Sequence, residues 1–169
     1  MFTTKKTDDI YSHIEHQVQD FAPRVGLWFS EYLMNHTNAR MKPEIYIGTD
    51  SSSLRGRTTF TIAIVINSRG FGGEYIFKKF SVGRYLSLFE KIYSEAHTSV
   101  QIAREIQKLS FIQAFSDIVV HVDANPNESA KSFQYFQAII GMVKGNGFEV
   151  VGKPHAYAAS CVADRHCRS

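Results

Sequence analysis

The chain has 169 residues, of which 44% are hydrophobic, and 19 Lys and Arg stand against 16 Asp and Glu for a formal net charge of +3. Such a chain can bury the core of one domain, and extended disorder is excluded. The small positive balance tolerates an anionic partner without demanding one, and no apolar run approaches the length of a membrane span.

The chain opens with a predicted frayed stretch over 1–7, and Thr7 or Asp8 is placed to cap a helix starting near Asp9. Ile10, Ile14, Val18 and Phe21 recur at helical spacing, and Pro23 is expected to break or kink the helix. A second helical piece over 25–36 carries Leu27, Trp28, Tyr32 and Leu33. So few residues bury little core alone, so 1–43 reads as an N-terminal helical extension. Its apolar side needs the main domain, or another subunit in a homo-oligomer. A polar connection over 35–42 follows.

Residues 45–49 then read as a short strand that ends on Asp50, with Tyr46, Gly48 and Asp50 on one face and Ile45, Ile47 and Thr49 on the other. A turn with Arg55, Gly56 and Arg57 leads to an apolar strand over 59–66, which reads as covered on both sides. Glycines mark the next turn, and the strand over 74–80 carries lysines that suit an exposed position. Short turns make an antiparallel meander the simplest topology for these three strands. The pattern then predicts a long helix over 86–109, a strand over 118–122 ending at Asp123, a helix over 128–144, a strand over 148–151 and a final helix over 156–164. The order after the extension is β-β-β-α-β-α-β-α. It implies an α/β fold with one mixed five-stranded sheet covered by helices, over 44–169.

Four acids are candidates for one site. Asp50 and Asp123 each end an apolar strand, and adjacent parallel strands would bring them together where α/β sheets commonly bind ligands. Asp123 alone also suits a turn beside Asn125. Glu95 falls near the inward stripe of the long helix, although an edge glutamate reaching water would share that phase. Asp164 lies in a small-residue segment, and a surface pair with Arg165 or Arg168 is its other reading. Acids gathered this closely need a cation between them. Lys153, after the fifth strand, and Arg55 and Arg57, in the first turn, are candidate phosphate contacts, with ordinary surface solvation as the alternative. His155 and His166 are candidate proton carriers. His121 shares a strand face with Asp123, a weak signal for a ligand pair. Ser51, Ser52 and Ser53 lack the surroundings of a nucleophile. Cys161 and Cys167 read as free thiols of a cytoplasmic protein, and with His166 they do not match structural-zinc spacing. No secretory leader is apparent.

The acid positions and element order resemble the ribonuclease H-like fold over about 44–167. More narrowly, Ile45-Tyr46-Ile47-Gly48-Thr49-Asp50-Ser51, His121-Val122-Asp123-Ala124-Asn125-Pro126 and Lys153-Pro154 followed by Ala163-Asp164 resemble the YkuK-like family of predicted ribonuclease H-like nucleases. The resemblance implies a divalent-metal-dependent nuclease that cleaves phosphodiester bonds by a two-metal mechanism with Mg²⁺ or Mn²⁺. Asp50, Glu95, Asp123 and Asp164 would be its ligands and His155 an aid to product departure. Asp164 is the member of the set that varies most across such enzymes. The implied partner is nucleic acid, whether RNA, DNA or hybrid. The competing expectation is a non-catalytic nucleic-acid or protein adaptor of the same fold, favoured by the modest charge and the lack of a conspicuous aromatic or basic stripe in the sequence.

Overall fold

A single helix, α1 (Ile10–Asn35), replaces the two pieces predicted around Pro23. The apolar stripe runs through the proline without a change of phase, and Ile14, Val18, Phe21, Val25 and Phe29 are buried along it. Each such side chain contributes about 1.5–3 kcal/mol, and together they outweigh the ~3 kcal/mol that an internal proline costs. The structure, a computed structural model, describes residues 9–36, 42–68, 72–115, 117–156 and 158–167. The caps predicted at Thr7 or Asp8 and parts of the predicted connections lie outside these residues. Asp9 is the N-cap, its carboxylate accepting the Tyr11 N–H at 3.1 Å.

α1 packs on α2 (Leu88–Gln107) and on β3 (Gly72–Val82). Lys78 of β3 ties the two together, donating to the Gln17 carbonyl at 3.1 Å and pairing with Asp20. The stripe is thus covered by its own chain. Among the described residues no helix is long and apolar enough to cross a membrane.

The sheet has the order β3-β2-β1-β4-β5. β1 (Glu44–Leu54), β2 (Arg57–Ser68) and β3 form the expected antiparallel meander, while β4 (Ile118–His121) and β5 (Glu149–Val151) add in parallel. β1 is longer than its apolar run because Ser51 to Ser53 continue the ladder opposite Phe60 to Thr58. A two-residue turn closes that hairpin, with Arg55 at φ 50° and Gly56 at φ 77°, as a primed turn requires. The ladder leaves Ile45, Ile47, Phe60, Ile62, Ile64 and Ile66 facing α1 and α2, all fully buried. The opposite face carries Ala63 and Thr61, and a C-terminal π-helical stretch, Ala158–Ala163, packs there against β1 and β2. The short α4 (Asp164–Cys167) follows it where one regular helix was expected.

The helix predicted over 128–144 begins later, as α3 (Phe133–Gly145). Asparagines compete for the backbone before it: Asn127 N–H donates to Asn125 Oδ1 at 2.9 Å and Ser129 N–H to Asn127 Oδ1 at 3.1 Å. Such side-chain turns stop a helix from starting.

Candidate functional site

The register of the central strands creates an opening. β1 pairs with β4 only from Ile45↔Ile118 to Gly48↔His121, whereas its ladder with β2 continues to Leu54↔Arg57. Beyond Gly48, β1 and β4 no longer pair with each other, and Asp50 and Asp123 stand at the same offset, two residues past the last pair. A cavity of about 320 Å³ fills this notch, with Asp50, Glu95 and Asp123 in its wall. A larger cavity of about 760 Å³ lies at the start of α1 and holds one acid, Asp9. The carboxylate chemistry is concentrated in the smaller one.

Glu95 reaches the notch from α2. It is 5% exposed, and its Oε1 accepts the Ser51 hydroxyl at 2.6 Å. One turn on, Thr49 and Ser99 hydroxyls meet at 2.8 Å and fasten the helix to the same strand. Burial pushes the Glu95 carboxyl up to about 8; the Ser51 hydroxyl opposes this, while the charges of Asp50 and Asp123 add to it. Asp50 accepts the Ser51 N–H at 2.9 Å. Its carboxyl is pushed up to about 6, chiefly by burial and further by Asp123 and Asp164, against the pull of that N–H and of Lys91. Carboxyls that are desolvated and crowded by like charges in this way hold their protons.

Lys153 brings a positive charge to the site, its ammonium pairing with Asp123. Asp123 is the main cause that raises the lysine's proton affinity, and the charges of Asp50 and Glu95 contribute. Backbone geometry sets Lys153 there. Its N–H donates to the Ala124 carbonyl at 3.2 Å, and a Cβ on the preceding Gly152 would fall 3.0 Å from that carbonyl oxygen and 3.2 Å from Phe136 Cε2. Any larger residue would require the β4 end or the Phe136 ring to give by a few tenths of an ångström.

The remaining expectations divide. Asp164 opens α4 and acts on Asp50 through its charge, but it does not line the cavity. Arg55 and Arg57 sit at the exposed hairpin tip, four strand residues or roughly 13 Å beyond Asp50, and do not line it either. His155 is exposed in the turn after Lys153, its N–H donating to the Gly152 carbonyl at 3.1 Å. His166 stacks on Phe77 with centroids 3.9 Å apart, away from the cavity. His121 is a core histidine. It stacks on Tyr46, its Nδ1 accepts the Ala158 N–H at 2.9 Å, and burial lowers it to about 4. It is therefore neutral at physiological pH, with its proton on Nε2.

Sequence reading missed Lys91, Asn125, Lys131 and Ser132 in the wall. Lys91 had a signal, since it precedes Glu95 by one helical turn. Lys131 and Ser132 had none, because their placement depends on the loop before α3, where Ser132 Oγ accepts the Asn125 N–H at 3.2 Å.

Carboxylate oxygens suit hard divalent cations. Among the described residues, however, no three His, Cys, Asp or Glu side chains stand close enough together to hold an ion as they are.

No curated protein matches the sequence significantly. Similar solved structures include the RNase H1 of the archaeon Halobacterium salinarum NRC-1, at 15% identity over 73% of this chain and 96% of that one, TM-score 0.39. An N-terminal RNase H domain from Mycobacterium tuberculosis shows 11% identity over 75% and 95%, TM-score 0.40. LC11-RNase H1, solved with an RNA/DNA hybrid, shows 14% over 73% and 92%, TM-score 0.41. A family model described as ribonuclease H-like matches residues 29–168. On that match, which spans most of its length, the chain belongs to the ribonuclease H-like family.

Proposed function

We propose that the protein is a divalent-metal-dependent nuclease that hydrolyses phosphodiester bonds, and that it belongs to the YkuK-like branch of its family. The observation that carries this reading is the convergence of acids from three separate elements on one cavity, with Asp50 and Glu95 both held well above the ordinary carboxylate range. Carboxylate side chains, which offer only oxygen acceptors, fit Mg²⁺ or Mn²⁺. Asp50, Glu95 and Asp123 would hold the metal, with Asp164 as a fourth ligand from the opposite face of the sheet. Bound divalent cations supply Lewis-acid activation of water and neutralisation of phosphate charge.

The chain's own residues do the rest. Ser51 orients Glu95 through its hydroxyl and Asp50 through its N–H. Lys153, Lys91 and Lys131 offer cations to a phosphate entering the notch. Residues 44–169 are the catalytic unit in this reading, and α1 supports α2, which carries Glu95. The test is cleavage of RNA, DNA and hybrid substrates in Mg²⁺ and Mn²⁺. Wild-type protein is expected to cut at least one, and Asp50→Asn to lose at least 100-fold in rate while folding normally. Cleavage by Asp50→Asn at the wild-type rate would sink the assignment.

A second reading, a non-catalytic adaptor of the same fold, is favoured by two features: Lys153 neutralises Asp123, and no metal-sized triad is in place among the described residues. Oligonucleotide binding without turnover in any divalent metal would select it.

A further inference from the structure

The rim of the notch carries an aromatic surface that no local stretch of sequence announces. Leu88 lines the cavity and is itself 42% exposed. Beside it on α2, Phe89 is 41% exposed, and its ring lies 5.0 Å from that of Tyr135 on α3 and 5.6 Å from that of Tyr93. Phe133, next to the cavity residue Ser132, is 40% exposed, and Tyr85 before α2 is 58% exposed. Two exposed rings, Phe89 and Phe133, thus follow directly on the cavity-wall residues Leu88 and Ser132, and exposed apolar surface beside a cavity marks a binding surface. Lysines accompany them: Lys91 and Lys131 line the same cavity as the acids.

From this juxtaposition we infer that the protein binds single-stranded nucleic acid, with unpaired bases stacked on the Phe89–Tyr135 surface and the backbone led past Lys91 and Lys131 to the carboxylate notch. The chemistry favours this occupant over a protein partner. Aromatic faces with interleaved cations are what single strands require, because every base offers a π-face and every residue a phosphate. Leu88, next to Phe89, and Ser132, next to Phe133, also wall a cavity whose acids and lysines suit a phosphodiester. A paired duplex keeps its base faces stacked inside and could not use the rings. The inference deepens the nuclease reading and rests on it for the placement of the backbone.

The test is fluorescence anisotropy of the full chain in EDTA with labelled 20-nucleotide U and dT strands and with a duplex of the same length. Single strands are expected to bind at least 10-fold tighter than the duplex. Phe89→Ala and Phe133→Ala are each expected to weaken single-strand binding by about 5- to 100-fold. Phe89→Trp, which keeps a stacking face, should retain wild-type affinity. Lys131→Gln should lower the slope of log affinity against log salt by about 0.7. Equal or tighter duplex binding would overturn the inference, and so would unchanged single-strand affinity in Phe89→Ala and Phe133→Ala. It would also fall if the chain self-associates and Phe89→Ala disperses the dimer without moving oligonucleotide affinity. The two readings separate cleanly. Ring-dependent single-strand binding without cleavage in Mg²⁺ or Mn²⁺ upholds this surface and refutes the nuclease, whereas cleavage confined to duplexes refutes this surface and upholds the nuclease.

Discussion

Replacing Glu95 by Gln should stabilise the metal-free protein at neutral pH while abolishing any metal-dependent cleavage. Glu95 titrates near 8 in the folded protein against an ordinary value of 4.5, because burial and then the charges of Asp50 and Asp123 outweigh the Ser51 hydroxyl. A carboxyl raised on folding binds its proton more tightly in the folded state. Its contribution to stability is therefore complete below about pH 4.5 and is lost as pH rises through 8. At pH 7 the unfolded chain is ionised at this position and the folded chain is not. At about 1.4 kcal/mol per pH unit, the loss relative to acid is about 3 kcal/mol. Gln has no such term and can still accept the Ser51 hydroxyl, which sits at 2.6 Å. Its buried amide N–H groups cost about 1–3 kcal/mol if they find no acceptor. The net gain at pH 7 is at most about 2 kcal/mol, or a rise in Tm of up to roughly 8 °C for a chain of this size. At pH 4.5 the same variant should be no more stable than wild type. Urea denaturation in EDTA across pH 4.5 to 8 measures both. If Glu95→Gln loses stability with rising pH as steeply as wild type, the acid is not the buried proton holder described here.

Lys153→Met removes the cation paired with Asp123; discounted for its partial exposure, the metal-free protein should lose about 0.5–1 kcal/mol. Calorimetric titration should then show Mn²⁺ binding at least as tightly as wild type, and weaker binding would mean that Lys153 assists the metal rather than standing in for it. Gly152→Ala pushes a methyl against the Ala124 carbonyl at 3.0 Å and should cost about 1–3 kcal/mol in urea denaturation; unchanged stability would show that the β5 end has room to give. His121→Phe leaves the Ala158 N–H without its acceptor and should cost about 1–3 kcal/mol at pH 7.5. Because burial lowers His121 to about 4, its wild-type contribution is present above pH 6.5 and is lost as pH falls toward 4. The deficit of the variant should therefore shrink in acid, and a deficit constant from pH 7.5 to 4.5 would contradict a buried neutral histidine.

Much of the molecule was legible along the chain. The alternation of Ile45 to Thr49 and of Phe60 to Ile66 marks strands because side chains on a pleated backbone must repeat every two residues. The helical phase of Glu95 and the shared ending of the Asp50 and Asp123 strands likewise follow from local geometry. Tertiary structure decided what depends on register and packing. Buried contacts carry α1 through Pro23, although the local rule stops a helix there. Asparagine turns delay α3 and so put Lys131 and Ser132 in the cavity wall. Arg55, Arg57 and His155, plausible by their places in the chain, end up outside that wall. The Lys153 pair with Asp123 needs the close approach at Gly152, and the ring surface needs Phe89 and Tyr135 from two different helices. Local periodicity tells a residue which way to face within its own element. Only the packing of elements tells it which charges and rings, tens of residues distant, it will face there.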